Sequence, residues 1–216
     1  LVDSSIYANL DSPDEATIKK INAFDWEKEF TETFAKWGFD AVIGNPPYIK
    51  EYTNKEIFDY VKLSNLAKYY QGKMDFWYLF ACKGLDMLKE WWLQWFIAPN
   101  NWITSSGASK MREKTMWDSI IKSFVDFVDF KVFQNASIQT MVYILENRRP
   151  KKSYKVKYTK ILDSKISEVT LKSILDWEFK WLDISLYEKY NSHIDSNNLR
   201  DGKPFTFVND EINTIL

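Results

Sequence analysis

The spacing of hydrophobic and polar positions along the chain predicts a mixed α/β domain. Ala41-Val42-Ile43 is a β-branched apolar run, the pattern of a buried strand in a sheet covered on both faces. Gly44 ends the run and Pro46-Pro47 follow. Neither proline can donate to a ladder, and Asn45 and Pro46, each preceding a proline, are pushed into extended geometry. The result is a stiff loop at the carboxyl end of a core strand, the edge at which open α/β sheets bind ligands. Behind Asp75, a helix-capping residue type, Phe76, Leu79, Phe80, Gly84, Met87 and Leu88 recur at helical spacing. That stripe reads as core, with Cys82 packed in or beside it. Leu93 to Ala98 reads as the next strand, ending at Pro99-Asn100-Asn101-Trp102, and Ser109 to Ile121 as a helix with Lys110, Arg112 and Lys114 on its polar side. Val125 to Phe133 and Ser137 to Leu145 read as two strands of a hairpin turning at Gln134-Asn135-Ala136.

The flanks are less regular. Residues 1–38 are polar, with a short helix expected from Asp14 to Ile21. Residues 49–72 interleave Lys50, Lys55, Lys62 and Lys68, with Lys73 just beyond, among Tyr52, Tyr60, Tyr69 and Tyr70. This pattern suits either a flexible segment that meets a nucleic-acid backbone or closes over the site, or a solvated surface helix and loop. Arg148-Arg149-Pro150-Lys151-Lys152 is a basic break that reads as a linker. After it come a strand at Tyr154 to Tyr158 and helices at Leu171 to Leu175 and Ile184 to Tyr190.

Composition narrows the class. With 45% hydrophobic and 27% charged residues in 216, the chain suits a soluble globular protein with one good core, or one and part of another. A net charge of −1 gives no global basic signature, so any nucleic-acid contact must come from a local basic face. The single cysteine, Cys82, excludes an internal disulfide and suits a reducing cytoplasm; with the single histidine, His193, it cannot build a zinc site. The sequence contains no signal peptide and no apolar run of transmembrane length. It begins at Leu1 rather than Met, as a piece of a longer protein would.

Asn45-Pro46-Pro47-Tyr48 after a strand resembles the catalytic loop of S-adenosylmethionine-dependent amino-group methyltransferases, above all the adenine-specific DNA methylases. The approach from Phe24-Asp25-Trp26 through Phe30 and Phe34 is similar to that of the large fused restriction–modification methylases. The resemblance implies a Rossmann-like sheet, here its carboxyl half ending in an antiparallel hairpin. S-adenosylmethionine would be the cofactor and double-stranded DNA the substrate, with a fused or separate nuclease and a specificity region as partners. It implies that Asn45, Pro46, Pro47 and Tyr48 are catalytic, that Tyr48 and Phe133 stack on a flipped base, and that Asn100 and Asn101 shape the pocket. Lys50, Lys73, Arg148 and Arg149 are weaker candidates for DNA backbone contacts. The Phe-x-Gly-x-Gly loop that binds the cofactor's methionine in such enzymes occurs nowhere in the chain. The implied division is a lead-in over 1–38, the catalytic half over 39–150 and the start of a target-recognition region over 151–216. Two other readings stay open: a methyltransferase acting on RNA or protein glutamine, and a non-catalytic DNA-binding or specificity fragment.

Tryptophan usage is anomalous, at 10 Trp against 6 Gly. Trp91-Trp92 and Trp95 stand where the relatives read glycine, and Trp37 and Trp117 have a similar setting. Helix ends favour glycine because left-handed backbone is cheap only there. The expectation is that some of these codons specify glycine in an organism that reassigns a stop codon.

Overall fold

The computed structural model describes residues 4–133, 138–150, 152–175 and 185–209. Short helices α1 (Glu15–Ile21), α2 (Trp26–Glu29) and α3 (Thr31–Phe34) lead into strand β1 (Phe39–Gly44). Asp14 and Asp25 cap the first two by accepting from the Thr17 and Lys28 amides. Next come α4 (Lys55–Lys62), α5 (Trp77–Met87), β2 (Leu88–Pro99), α6 (Ser109–Asp118) and β3 (Ser119–Asp126). The chain continues with β4 (Thr140–Asn147), β5 (Ser153–Ile161), α7 (Glu168–Leu175), β6 (Tyr187–Asp195) and α8 (Ser196–Leu199).

The strands form one sheet in the order β1-β2-β4-β3-β5-β6. β1 and β2 run parallel, while β4 lies antiparallel between β2 and β3. The sheet is therefore Rossmann-like, and the expected antiparallel pair is β3 with β4, set inside the sheet and not at its end. β5 pairs in parallel with β3 and β6 antiparallel with β5, so the chain beyond residue 152 returns to the same sheet.

The main core lies where α5 packs on β2 and β4. Trp77, Tyr78, Leu79, Ala81, Cys82, Gly84, Leu85 and Met87 are all buried, so α5 is covered on nearly every side. Burial extends beyond the predicted stripe because the segment at 51–70 packs on the outer side of the helix. Phe58, Val61, Leu66 and Tyr69 bury there, so residues 49–72 form a folded layer. A smaller cluster of Phe127, Ile161, Ile166 and Ile174 covers the other face under α7.

Several expectations change on folding. β1 is not covered on both sides: among the described residues it pairs only with β2, and Ile43 is 75% exposed. α6 ends at Asp118 and β3 begins at once, because Ile120 and Ile121 belong to the sheet. The β3–β4 connection is longer than a hairpin turn. β3 stops at Asp126, so Phe133 lies in a loop, and the expected turn at 134–136 lies outside the described residues. Tyr187 to Tyr190 is strand and not helix, its register set by pairing with β5.

Arg112 is the largest correction. It is buried, not solvated: Nη1 donates to the Trp102 and Ser105 carbonyls at 2.6 Å each. Nε donates to the Gly202 and Lys203 carbonyls at 2.8 and 3.1 Å. It thus ties α6 to the turn after β2 and to a segment far along the chain. Arg112→Leu in the full-length protein is expected to lower unfolding free energy by about 3 kcal/mol, because buried carbonyls lose charged donors. Urea unfolding measures it, and a loss under about 1 kcal/mol would show that these bonds are replaced without penalty.

Candidate active site

The carboxyl edge of the parallel strands gathers three connections: the loop after β1, the turn after β2 and the β3–β4 loop. Asn45 is exposed and Pro46 buried, so the loop has a fixed root and an accessible amide. With prolines at 46 and 47, regular pairing cannot hold it. Its anchors lie on either side.

The first anchor is Tyr48. Its hydroxyl lies 2.7 Å from Asn45 Oδ1 and 3.0 Å from the Ile97 carbonyl of β2, with one proton to donate between these acceptors. The phenol bridges the loop's amide to the neighbouring strand, while Asn45 Oδ1 keeps a lone pair for a further donor. Burial pushes the Tyr48 pKa up to about 12, and the nearby Asp75 carboxylate adds to the rise.

The second anchor is a short strand-like pairing. The Glu51 amide donates to the Met74 carbonyl at 3.0 Å and the Phe76 amide to the Ile49 carbonyl at 2.8 Å. Between these rungs Lys50 faces Asp75, with Nζ 2.7 Å from Oδ2. Asp75 is expected to cap α5; the residue at the cap position is Phe76, which makes no side-chain cap bond, and the Asp75 carboxylate pairs with Lys50. Burial raises the Asp75 pKa, while Lys50 and the Trp77 and Phe76 amides oppose the rise.

Asn100 sits at the same edge, its Nδ2 donating to Asp126 Oδ1 at 2.9 Å and its amide to the Gln139 carbonyl at 3.2 Å. It knits together the ends of β2, β3 and β4, while Asn101 is exposed in the same turn. Lys73 is also exposed, one residue before the Met74 rung. Phe133 is half-buried in the β3–β4 loop, and neither it nor Tyr48 stacks on another ring among the described residues. Arg148 and Arg149 are not brought to this edge. They follow β4, whose end pairs with the start of β2, so they lie at the opposite edge of the sheet. There Arg148 pairs with Glu146 at 2.6 Å.

An apolar cavity of about 260 Å³ opens beside the loop, lined by Val42, Gly44, Pro46, Phe80, Gly84 and Phe96 among others. It gives a methyl donor an apolar wall next to Asn45. No lining residue is a carboxylate that could hold ribose hydroxyls, so the described residues fit the reacting end of S-adenosylmethionine and not its handle. A second cavity, about 660 Å³ and lined by Asp25, Lys68 and Asp86 among others, lies at the far end of α5 and shares Trp26 and Met87 with the first. No helix among the described residues is long and apolar enough to cross a membrane.

A parallel strand that delivers an Asn-Pro-Pro-Tyr loop to the carboxyl edge of a sheet with an antiparallel strand set beside it is the arrangement of a Rossmann-like methylase domain. The chain belongs to the Eco57I restriction-modification methylase family, whose model matches residues 2–133. It is 27% identical over 164 residues to the type II restriction enzyme and methyltransferase RM.Eco57I of Escherichia coli, covering 73% of this chain and 15% of that protein. A type I restriction-modification methyltransferase subunit from Streptococcus thermophilus shares the fold with a TM-score of 0.52 at 18% identity, over 82% of this chain and 38% of that one. The type ISP restriction-modification enzyme LlaGI, solved with a DNA substrate mimic, gives 0.55 at 14% identity, over 97% of this chain and 18% of that one. The chain thus spans a small part of the length of its relatives.

The half-buried phenol has a spectroscopic consequence. Tyr48 is expected to stay protonated as exposed tyrosines ionise near about pH 10, and to titrate near pH 12. Because its folded pKa lies above the unfolded value, the stabilisation is complete below about pH 10 and is lost as pH rises toward 12. Difference absorbance of wild type against Tyr48→Phe measures it; a Tyr48 signal at the ordinary tyrosine value would disprove the buried setting.

Proposed function

We propose that this chain supplies the target-base side of an adenine-specific DNA methyltransferase acting within a restriction–modification system. The tethered acceptor loop carries this reading: Asn45, held by Tyr48 and rooted by a buried Pro46, stands beside an apolar cavity in a chain of this family. Residues 39–150 would form the catalytic half, and the stretch from 151 the start of target recognition. A fused or separate nuclease would complete the system.

Adenine's exocyclic nitrogen is a poor nucleophile because its lone pair is delocalised into the ring. Asn45 Oδ1 and the Pro46 carbonyl accept its two hydrogens, which favours the pyramidal amine and stabilises the positive charge that grows during attack. S-adenosylmethionine, when bound, supplies an electrophilic methyl on sulfonium. The loop's role is to hold the nitrogen in line with it. The target base must leave the duplex at an expense of a few kcal/mol, and stacking on an aromatic face returns about 1–3 kcal/mol. Tyr48 offers one face and Phe133, from the loop across the edge, the other. The cofactor's methionine and ribose would be held by a further layer docked against β1. Support comes from the exposed Ala41 and Ile43 and from the one-sided pairing of β1 among the described residues.

In the full-length enzyme, Asn45→Ala is expected to slow methylation by about 10²–10³-fold with DNA affinity little changed, because a preorganised acceptor is lost. Near-normal methylation would discard the assignment. With 2-aminopurine at the target position, fluorescence should rise on binding, and the rise should shrink in Tyr48→Ala and Phe133→Ala. An unchanged rise in either variant removes that residue from the stack.

A further inference from the structure

We propose that Lys50 and Asp75 act together as the positioning pair of the Asn45–Tyr48 loop, an inference that rests on the function proposed above. The loop leaves β1 at Gly44 and has no ladder of its own across the prolines. What fixes its far end is the pairing of 49–51 with 74–76, which leads directly into the buried start of α5. The Asp75 side chain is fully buried and the Lys50 side chain 38% exposed, with 2.7 Å between Nζ and Oδ2. A buried carboxylate is costly unless paired, so the pair locks the register of this crossing and not merely its proximity. Two residues upstream of Lys50, the Tyr48 hydroxyl passes that placement on to Asn45 Oδ1. Neither Lys50 nor Asp75 needs to touch the reacting atoms; a loop displaced by about 1 Å can lose about 10²-fold in rate.

The test uses full-length enzyme carrying Asp75→Asn, Lys50→Met and both together, with Asn45→Ala alongside. Each single variant should lose about 10- to 100-fold in kcat, with the KM for S-adenosylmethionine and the melting temperature near wild type. The double variant should be no worse than the poorer single, because the pair acts as a unit. Wild-type kcat in both single variants overturns the proposal, as does a double loss equal to the product of the singles. So does a kcat loss that disappears once activity is expressed per folded enzyme. If Asn45→Ala is itself fully active, the functional reading fails; if Asn45→Ala is impaired while Asp75→Asn is normal, only the positioning role fails.

A separate observation carries a second inference. We infer that positions 37 and 91, tryptophan in this sequence, are glycine in the protein as its own cells make it. Trp37 has φ 74° and Trp91 φ 75°, left-handed backbone that is a genuine outlier for a bulky residue. At position 37 the geometry is a Schellman helix end: the Gly38 amide donates to the Thr33 carbonyl and the Trp37 amide to the Phe34 carbonyl. The residue in the left-handed place of that motif is usually glycine. At 91 the residue sits in the irregular stretch that lets β2 slip past β1 between the Phe39–Leu88 and Ala41–Leu93 pairings. Both indoles lie outside the core, Trp37 at 89% and Trp91 at 59% exposure, whereas Trp77 and Trp102 are completely buried. A codon read as glycine by the source and as tryptophan by the standard code leaves this signature: indoles at glycine backbone sites, outside the core, even though Arg148 lies over the Trp91 ring.

Peptide mass spectrometry of the protein purified from its source cells should find glycine at 37 and 91; tryptophan at both overturns the inference. In the recombinant full-length chain, Trp37→Gly and Trp91→Gly should each raise the folding equilibrium constant by about 5- to 30-fold, the relief of a left-handed bulky residue. Trp77→Gly and Trp102→Gly should lower it. A loss of stability in both Trp37→Gly and Trp91→Gly would count against glycine at these sites.

Discussion

The close approach of α5 to β2 is the constraint on which the rest of the structure depends. Gly84 lies so near Gln94 that an added Cβ would stand 2.1 Å from Nε2. Gln94 is fully buried, and its amide is satisfied on both sides: Nε2 donates to the Ala81 carbonyl at 3.0 Å, and Oε1 accepts from the Tyr143 hydroxyl at 3.1 Å. One side chain thereby fastens helix, central strand and antiparallel neighbour. A buried amide left without these partners would be expensive, so the three elements have little freedom to slide. Because β1 takes its register from β2, the position of the acceptor loop follows from this contact.

From that fixed point the site is assembled by pairings that cross between elements. The Ile97 carbonyl of β2 receives Tyr48, α5 begins two residues after the buried Asp75 that pairs with Lys50, and Asn100 reaches Asp126. Each pairing is made at the edge of the sheet where the parallel strands end. The loop can therefore be short, proline-stiffened and exposed at Asn45 while remaining rooted. Such a loop needs little reorganisation when a base arrives, which is the condition for electrostatic stabilisation of the attacking amine.

Charge is distributed to suit this division. At the opposite edge, Asp86 accepts from Tyr69 and pairs with Lys114 and Lys68, while Lys114 also meets Asp118. These groups are largely neutralised by one another and serve packing around the end of α5. The near-zero net charge thus conceals paired cations, and a count of lysines along 49–72 overstates the basic surface available to a phosphate backbone.

The sequence by itself determined the strand–proline loop, its place at the carboxyl edge, the burial of Cys82, the short helix ending at Ile21 and the antiparallel strand ending near Leu145. All of these follow from local rules: prolines forbid a ladder, caps satisfy orphan amides, and apolar periodicity selects helix or strand. It also marked Trp37 and Trp91 as out of place, because the turn out of a helix has a residue preference of its own, although position 91 falls within β2. Only the tertiary structure decided what Asp75, Arg112 and Lys50 do. A carboxylate before a helix reads as a cap, and an arginine between two lysines reads as solvated, until the fold brings a distant partner within hydrogen-bond reach. The ends of α6 and β3, the strand at 187–190 and the exposure of Ile43 were illegible for the same reason. Burial and pairing belong to neighbours far away in the chain, and no local pattern encodes which neighbour arrives.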